Sequence, residues 1–206
     1  MPPVVKFLLP LCVLAVTAVS ASAQINTEFK VTKINVNFQD SPNFGVSSYD
    51  KRVTRPQKWL EVEASFDWAP RAKEPLFTDE LTFTYYILLN NKSAEFPQGT
   101  LLSGSVTHVS IPQEKGMNSV VFVSPRTLQR FFAGKIPANA AQAVVDVGVE
   151  VSSKGQVVAN FVWKGKGEWW RNYQQTTGYV LNKSETPFAY LAWDYYEAIK
   201  PKGGGF

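Results

Sequence analysis

The sequence predicts an all-β protein, an immunoglobulin-like antiparallel β-sandwich with one or two short helices, and three observations carry that expectation. The dominant hydrophobic period is two. In "WLEVEASFDW" (59–68), Leu60, Val62, Ala64, Phe66 and Trp68 alternate with Glu61, Glu63, Ser65 and Asp67. A strand can bury one such face and wet the other, whereas a helix would carry glutamates into the core. The same alternation returns in several short segments divided by turn residues, and nothing alternates strand with helix as a parallel sheet requires. The cysteine pair common in immunoglobulin domains is missing, and a closed barrel of the same strand count satisfies the periodicity equally well.

Taken in order, residues 1–23 read as an export signal. Lys6 gives a short basic start, "FLLPLCVLAV" is apolar but too short to remain in a bilayer, and "ASA" at 21–23 fits the small-residue cleavage rule. Cleavage after Ala23 makes Gln24 the first mature residue, and 206 residues less 23 leave 183, enough for one domain with a sizeable core. The expected division is thus a signal at 1–23, one β-sandwich over 24–200 and a flexible tail, "KGGGF" included, over 201–206. No later stretch is long and apolar enough for a transmembrane segment.

"FKVTKINVNF" (29–38) alternates with a slip between Val31 and Ile34, as a bulge demands. After "WLEVEASFDW", the segment "LTFTYYILL" alternates through Leu81, Phe83, Tyr85, Ile87 and Leu89, followed by weaker strands at 105–111 and 119–123. "SPRTLQRFFAGK" is punctuated as a helix. Ser124 can cap it, Pro125 suits its first position, Leu128, Phe131 and Phe132 make a stripe, and Gly134 can end it. "AVVDVGVEV" and "VVANFVW" are strands joined by "SSKG" (152–155) in a tight hairpin. They place Val145, Val147, Val149, Val151, Val157, Phe161 and Trp163 in the core beside Leu60, Val62 and Phe66. "GYVL" (178–181) is a last short strand. "TPFAYLAWDYYEAI" (186–199) fits a helical face and an extended alternation alike, and both stay open.

Composition removes several kinds of chemistry. The only cysteine, Cys12, lies in the signal, so the mature chain has no disulfide, thiolate metal site or cysteine nucleophile. Leu11 precedes it where a lipoprotein signal would place a small residue. One histidine, His108, leaves only carboxylates to complete a metal site, and no "GxSxG" motif offers it a serine on a strained turn. Glu61, Glu63 and Asp67 lie on one strand face where positions i and i+2 are about 6.5 Å apart, a spacing compatible with glycoside hydrolysis but produced by any charged strand face. Without Lys6 the charge is 20 basic against 17 acidic residues. The one basic cluster, 51–58, is too sparse for a nucleic-acid surface. No enzyme activity, cofactor or metal is expected.

What stands out is aromatic content, 14% with six tryptophans, concentrated after Val162. If one strand ran from Gln156 to Tyr173, Trp163 and Trp169 would face inward, and Trp170 would face outward among Lys164, Lys166 and Glu168. The expectation is that the segment 186–199 partly covers Trp170, and that Trp170, Trp193, Tyr195 and Tyr196 form a contact surface.

With "SPRTLQRFFAGK" and "SETPFAYLAWDYYEAIK" in an exported, cysteine-free β-domain, the chain resembles the verrucomicrobial pilus-like proteins, secreted immunoglobulin-like domains encoded near type IV pilus assembly genes. The resemblance implies a non-enzymatic binding or structural role, periplasmic or at the cell surface, with protein partners in the envelope, pilus components among them. Glu28 falls at the fifth mature position, as in pilins, but strand-like alternation follows it instead of a long apolar helix. A carbohydrate-binding module using the aromatics is the alternative and an envelope glycosidase the third reading, so glycans stand beside proteins as partners.

Overall fold

The computed structural model describes residues 29–44, 55–68, 77–94 and 96–201. The expected leader, Glu28, the first half of the basic cluster and the tail beyond Pro201 lie outside the described residues.

In chain order the elements are β1 (Phe29–Asp40), β2 (Lys58–Trp68), β3 (Phe77–Leu89), β4 (Thr100–Pro112), β5 (Met117–Val123), α1 (Pro125–Phe131), α2 (Ala140–Ala143), β6 (Val144–Ser153), β7 (Gln156–Val162), β8 (Gln175–Thr177) and β9 (Val180–Asn182). Single 3₁₀ turns occupy Trp169–Asn172 and Lys183–Glu185. Two sheets form, ordered β1-β2-β5-β9 and β7-β6-β3-β4-β8, and they face each other as an all-β sandwich. Every strand pair is antiparallel except β4 with β8, where Leu101–Ser103 runs parallel to Gln175–Thr177.

The core is what the two-residue period requires. Leu60, Val62, Ala64 and Phe66 from one sheet meet Leu81, Phe83, Tyr85, Ile87, Val147, Val149 and Val151 from the other, all buried. Phe66 and Phe83 touch across the middle, their ring centroids 4.8 Å apart. β1 does carry a register shift between Val31 and Lys33. At the hairpin joining β6 to β7, Lys154 (φ 49°) and Gly155 (φ 78°) are both left-handed, the conformation of a type I′ turn that matches strand twist.

Two core expectations are corrected. Val145 is exposed, because β6 shifts register against β3 opposite Leu88 and Leu89 and turns that side chain out. A second shift, where Val151 pairs with Ala159 and Ser152 with Val157, makes Val158 the residue that packs on the core in place of Val157. Phe161 on edge strand β7 and Trp163 just past its end pack against the core but remain half-buried.

Helix α1 forms as its punctuation dictates. Ser124 Oγ accepts the Thr127 N–H at 3.2 Å, Pro125 opens the helix, and Leu128 is buried beneath it. Ser124→Ala should lower stability by about 1 kcal/mol, read from the denaturation midpoint in urea. A midpoint equal to the parent's would show that water caps the helix as well as the hydroxyl does. Helix α2, which the alternation did not reveal, is capped in the same way by Asn139, whose side-chain oxygen accepts the Gln142 N–H at 2.9 Å.

Candidate functional site

The end of β3 (Tyr85–Leu89) and all of β5 are buried on both faces, so each outer sheet face must be covered there by something. The chain after β7 supplies both covers.

The first lies on the five-stranded sheet. β7 stops at Val162 because buried Asp146 captures the following backbone: its Oδ1 accepts the Lys164 N–H at 2.9 Å and its Oδ2 the Gly165 N–H at 2.9 Å. The chain then coils into the 3₁₀ turn at Trp169–Asn172. Glu168, which opens this turn, accepts from Asn160 at 2.8 Å and pairs with Arg171. This turn lays Trp170 flat on the outer face. Its ring stacks on Tyr86 at 5.0 Å and 7° over Gly148, with Leu88 and Leu101 completing the cluster.

Trp170 is therefore not a contact residue. It is 2% exposed and forms the centre of a satellite core. The expectation of an outward tryptophan on a continuing strand fails because parity cannot be carried through a 3₁₀ turn. Nor does the segment 186–199 cover it. Its neighbour Trp169 meets Trp170 and Tyr173 edge-on, and the buried Trp169 Nε1–H has no acceptor among the described residues.

The second cover lies on the outer face of the four-stranded sheet. From Asn182, whose capping box with Glu185 turns the chain, residues 183–200 run as a strap of successive turns, not as a helix. Phe188 stacks on Phe122 at 4.6 Å and 5°, and Trp59 meets it edge-on. Tyr196 donates its hydroxyl to Glu63 at 3.0 Å. Lys183 Nζ donates to the Ala189 carbonyl at 3.2 Å and lies 5.6 Å from the Tyr196 ring and 5.9 Å from that of Trp193. Burial lowers the Lys183 pKa, and burial first, then Glu61 and Glu63, raise that of Tyr196.

The strap ends by adding to the other sheet. The Val109 N–H donates to the Ala198 carbonyl at 3.0 Å and the Lys200 N–H to the Thr107 carbonyl at 2.8 Å, while the Lys200 side chain pairs with Glu80. His108 is at the centre of this junction. It lies 3.1 Å from the Glu197 carbonyl through Nδ1 and 2.8 Å from Ser119 Oγ through Nε2, and Ser119 in turn accepts the Tyr85 hydroxyl at 2.9 Å. A carbonyl can only accept, so the proton belongs on Nδ1, leaving Nε2 to accept from Ser119. Tyr85 then donates to Ser119, Ser119 to Nε2, and the Nδ1–H to the Glu197 carbonyl, and the relay requires neutral imidazole.

The fold thus does place a serine beside the lone histidine. The pair is sealed in, with His108 1% exposed and Ser119 0%, and a backbone carbonyl occupies the place where a carboxylate would orient a catalytic imidazole. Of the strand carboxylates, Glu63 also accepts from Asn35 at 2.9 Å, Glu61 accepts from Gln39 at 3.3 Å, and Asp67 accepts the Gly116 N–H at 2.9 Å. Burial raises the Glu61 pKa. Among the described residues no group of three His, Cys, Asp or Glu side chains could hold a metal ion, and no helix is long and apolar enough to cross a membrane.

Of the four expected contact residues, the strap brings Trp193, Tyr195 and Tyr196 together and leaves Trp170 on the opposite outer face. Trp193 is 69% exposed and Tyr195 about half, while Tyr196 is half-buried against its neighbour. Tyr190 (75% exposed) and Leu191 join this apolar display and were not singled out by the alternation, since a run of turns has no period. Ala192 sits left-handed at φ 50°, the bend that sets Leu191 and Trp193 apart.

No curated protein is similar enough to count as a relative. A crystal structure of a protein from Akkermansia muciniphila matches with a TM-score of 0.69 and 25% identity, over 84% of this chain and 93% of that one. Residues 20–203 match a protein-family model, and the family it describes is pilus-like. That match spans nearly the whole chain and agrees in fold, and the chain belongs to the verrucomicrobial pilus-like family.

Proposed function

We propose that this protein is an exported, non-enzymatic component or accessory of a pilus-like assembly at the cell envelope, and that it meets its protein partners through the strap at residues 190–195. The observation that carries this reading is the display of Tyr190, Leu191, Trp193 and Tyr195 at the surface of a segment otherwise pinned by Phe188, Tyr196 and Lys200. Water gains nothing by keeping four large side chains exposed on a rigid support, whereas aromatic anchors held in place lose little entropy on docking. Family membership supports the envelope setting, and the leader-like residues 1–23 support export.

The test is site-specific photo-crosslinking in intact cells, with a photoreactive phenylalanine in place of Tyr190 or Trp193. Discrete adducts to envelope proteins are expected from both positions and not from exposed Val145 on the other sheet. Adducts equal to those from Val145 would sink the reading. Mass spectrometry of the exported protein should find Gln24 first, and a chain that keeps Cys12 would refute the expected cleavage.

A further inference from the structure

A groove of about 360 Å³ opens between the turn before β4 and the segment leading from the 3₁₀ turn into β8. Phe96, Gln98, Asn172, Tyr173, Gln174 and Thr176 line it, and no residue of its lining is charged. One aromatic ring stands on each of the two segments. Three primary amides, a phenol and the threonines at 100 and 176 supply its polar groups beside Pro97, Gly99 and Leu101, and the side chains of Gln98, Asn172, Tyr173, Gln174 and Thr176 make no hydrogen bond within the described residues.

Both segments are held in place by bonds and contacts to the fold behind them. On the first, the Gly99 N–H bonds the Phe96 carbonyl at 3.0 Å, and Gly99 adopts φ 88°, where a Cβ would lie 2.3 Å from the Leu89 oxygen. Buried Asn91 accepts the Thr100 N–H at 2.8 Å and donates to the Phe131 carbonyl at 3.1 Å. On the second, Trp169 meets Tyr173 edge-on at 5.7 Å, and the Tyr173 N–H reaches the Trp170 carbonyl at 3.3 Å. The satellite core around Trp170 therefore positions this side of the groove.

We infer that this groove is a binding site for an uncharged saccharide unit. Amides offer a donor and an acceptor from one planar group and can bond adjacent sugar hydroxyls, while flat rings take the C–H face of a pyranose. A volume of this size lies in the small-ligand range, and the groups are preorganised on supported segments. Absence of charge from the lining disfavours phosphate and sialylated sugars, which a basic side chain would have to neutralise. The site shares no residue with the strap, so the inference stands or falls independently of the proposed protein contact.

The experiment is ¹H–¹⁵N NMR of the full mature chain, following the side-chain amides of Gln98, Asn172 and Gln174. The probes are galactose, N-acetylglucosamine, mannobiose and chitobiose, with 3′-sialyllactose and a neutral octapeptide of Gly, Ala and Ser for contrast. Each is titrated to about 20 mM, which covers the weak affinities expected of single sugar units. At least one neutral sugar should shift two or more of these amides saturably, and Tyr173→Ala should weaken it about tenfold or more. Gln98→Ala on the other segment repeats the test should Tyr173→Ala disturb the fold. No saturable shift from any neutral sugar overturns the inference. So does unchanged affinity in Gln98→Ala, or a response confined to the octapeptide or to sialyllactose.

Discussion

Trp170→Ala should cost about 3–5 kcal/mol of folding stability, as much as truncating a large residue in a main core, although Trp170 belongs to neither sheet's inner face. Its ring is enclosed by Tyr86, Leu88 and Leu101, and beneath it Gly148 leaves the space it fills. A Cβ on Gly148 would lie 2.2 Å from Trp170 Cε3, so Gly148→Ala must lift the indole and should cost several kcal/mol itself, by the strain and lost packing that overfilled cores show. The two losses describe one contact and should not add. Once the ring is gone, the three atoms nearest the methyl on residue 148 are gone with it, and the double variant should be no less stable than Trp170→Ala alone. Urea denaturation of all four proteins measures the coupling. Strictly additive losses would mean that the indole does not rest on Gly148.

Acidification should remove about 3 kcal/mol of stability between pH 7 and pH 4 through His108 alone. Burial lowers the folded pKa of this imidazole from an ordinary 6.5 to about 4, against a smaller upward pull from the backbone carbonyls of Glu197 and Ala198. The sign follows from which state binds the proton. Above pH 6.5 the ring is neutral folded and unfolded, and the full stability is present. As pH falls toward 4 the unfolded chain takes up a proton that the folded one refuses, and the stability lost is about 1.4 kcal/mol for each pH unit. Below the folded pKa the loss stops growing. Protonation also leaves Ser119 receiving from both Tyr85 and Nε2–H, with no acceptor for its own hydroxyl. His108→Asn should start less stable at pH 7 and lose about 3 kcal/mol less on going to pH 4. Carboxylates contribute equally to both proteins, so parallel pH profiles would refute this account.

The sandwich was legible because alternation is a local property. Leu60–Trp68 and Leu81–Leu89 show their inner faces residue by residue, and Ser124, Pro125 and the 152–155 turn act through bonds within a few positions. The covers of the outer faces were not, because they depend on contacts between distant segments. A signal did exist: "SVVFV" and "TYYILL" are unbroken apolar runs, and Val120, Phe122, Tyr86 and Leu88 on their outer faces had to meet something. Trp170 was misplaced by two glycines and a carboxylate that ended its strand, while the His108–Ser119 relay joins positions on different sheets that no spacing relates. The display on the strap was legible in composition only, as a density of aromatic residues without an orientation.

The strap also sets an order of events in folding. Tyr196 reaches Glu63 across 133 positions of sequence and Lys200 reaches Glu80 across 120, loops whose closure is entropically costly and comes late. Until these residues arrive, the His108 Nδ1–H lacks its acceptor and Phe122 lacks its cover. A growing chain therefore cannot finish the outer face of its four-stranded sheet before residues 183–200 are free. Docking of residues 183–200 should therefore be a late step in reaching the native state.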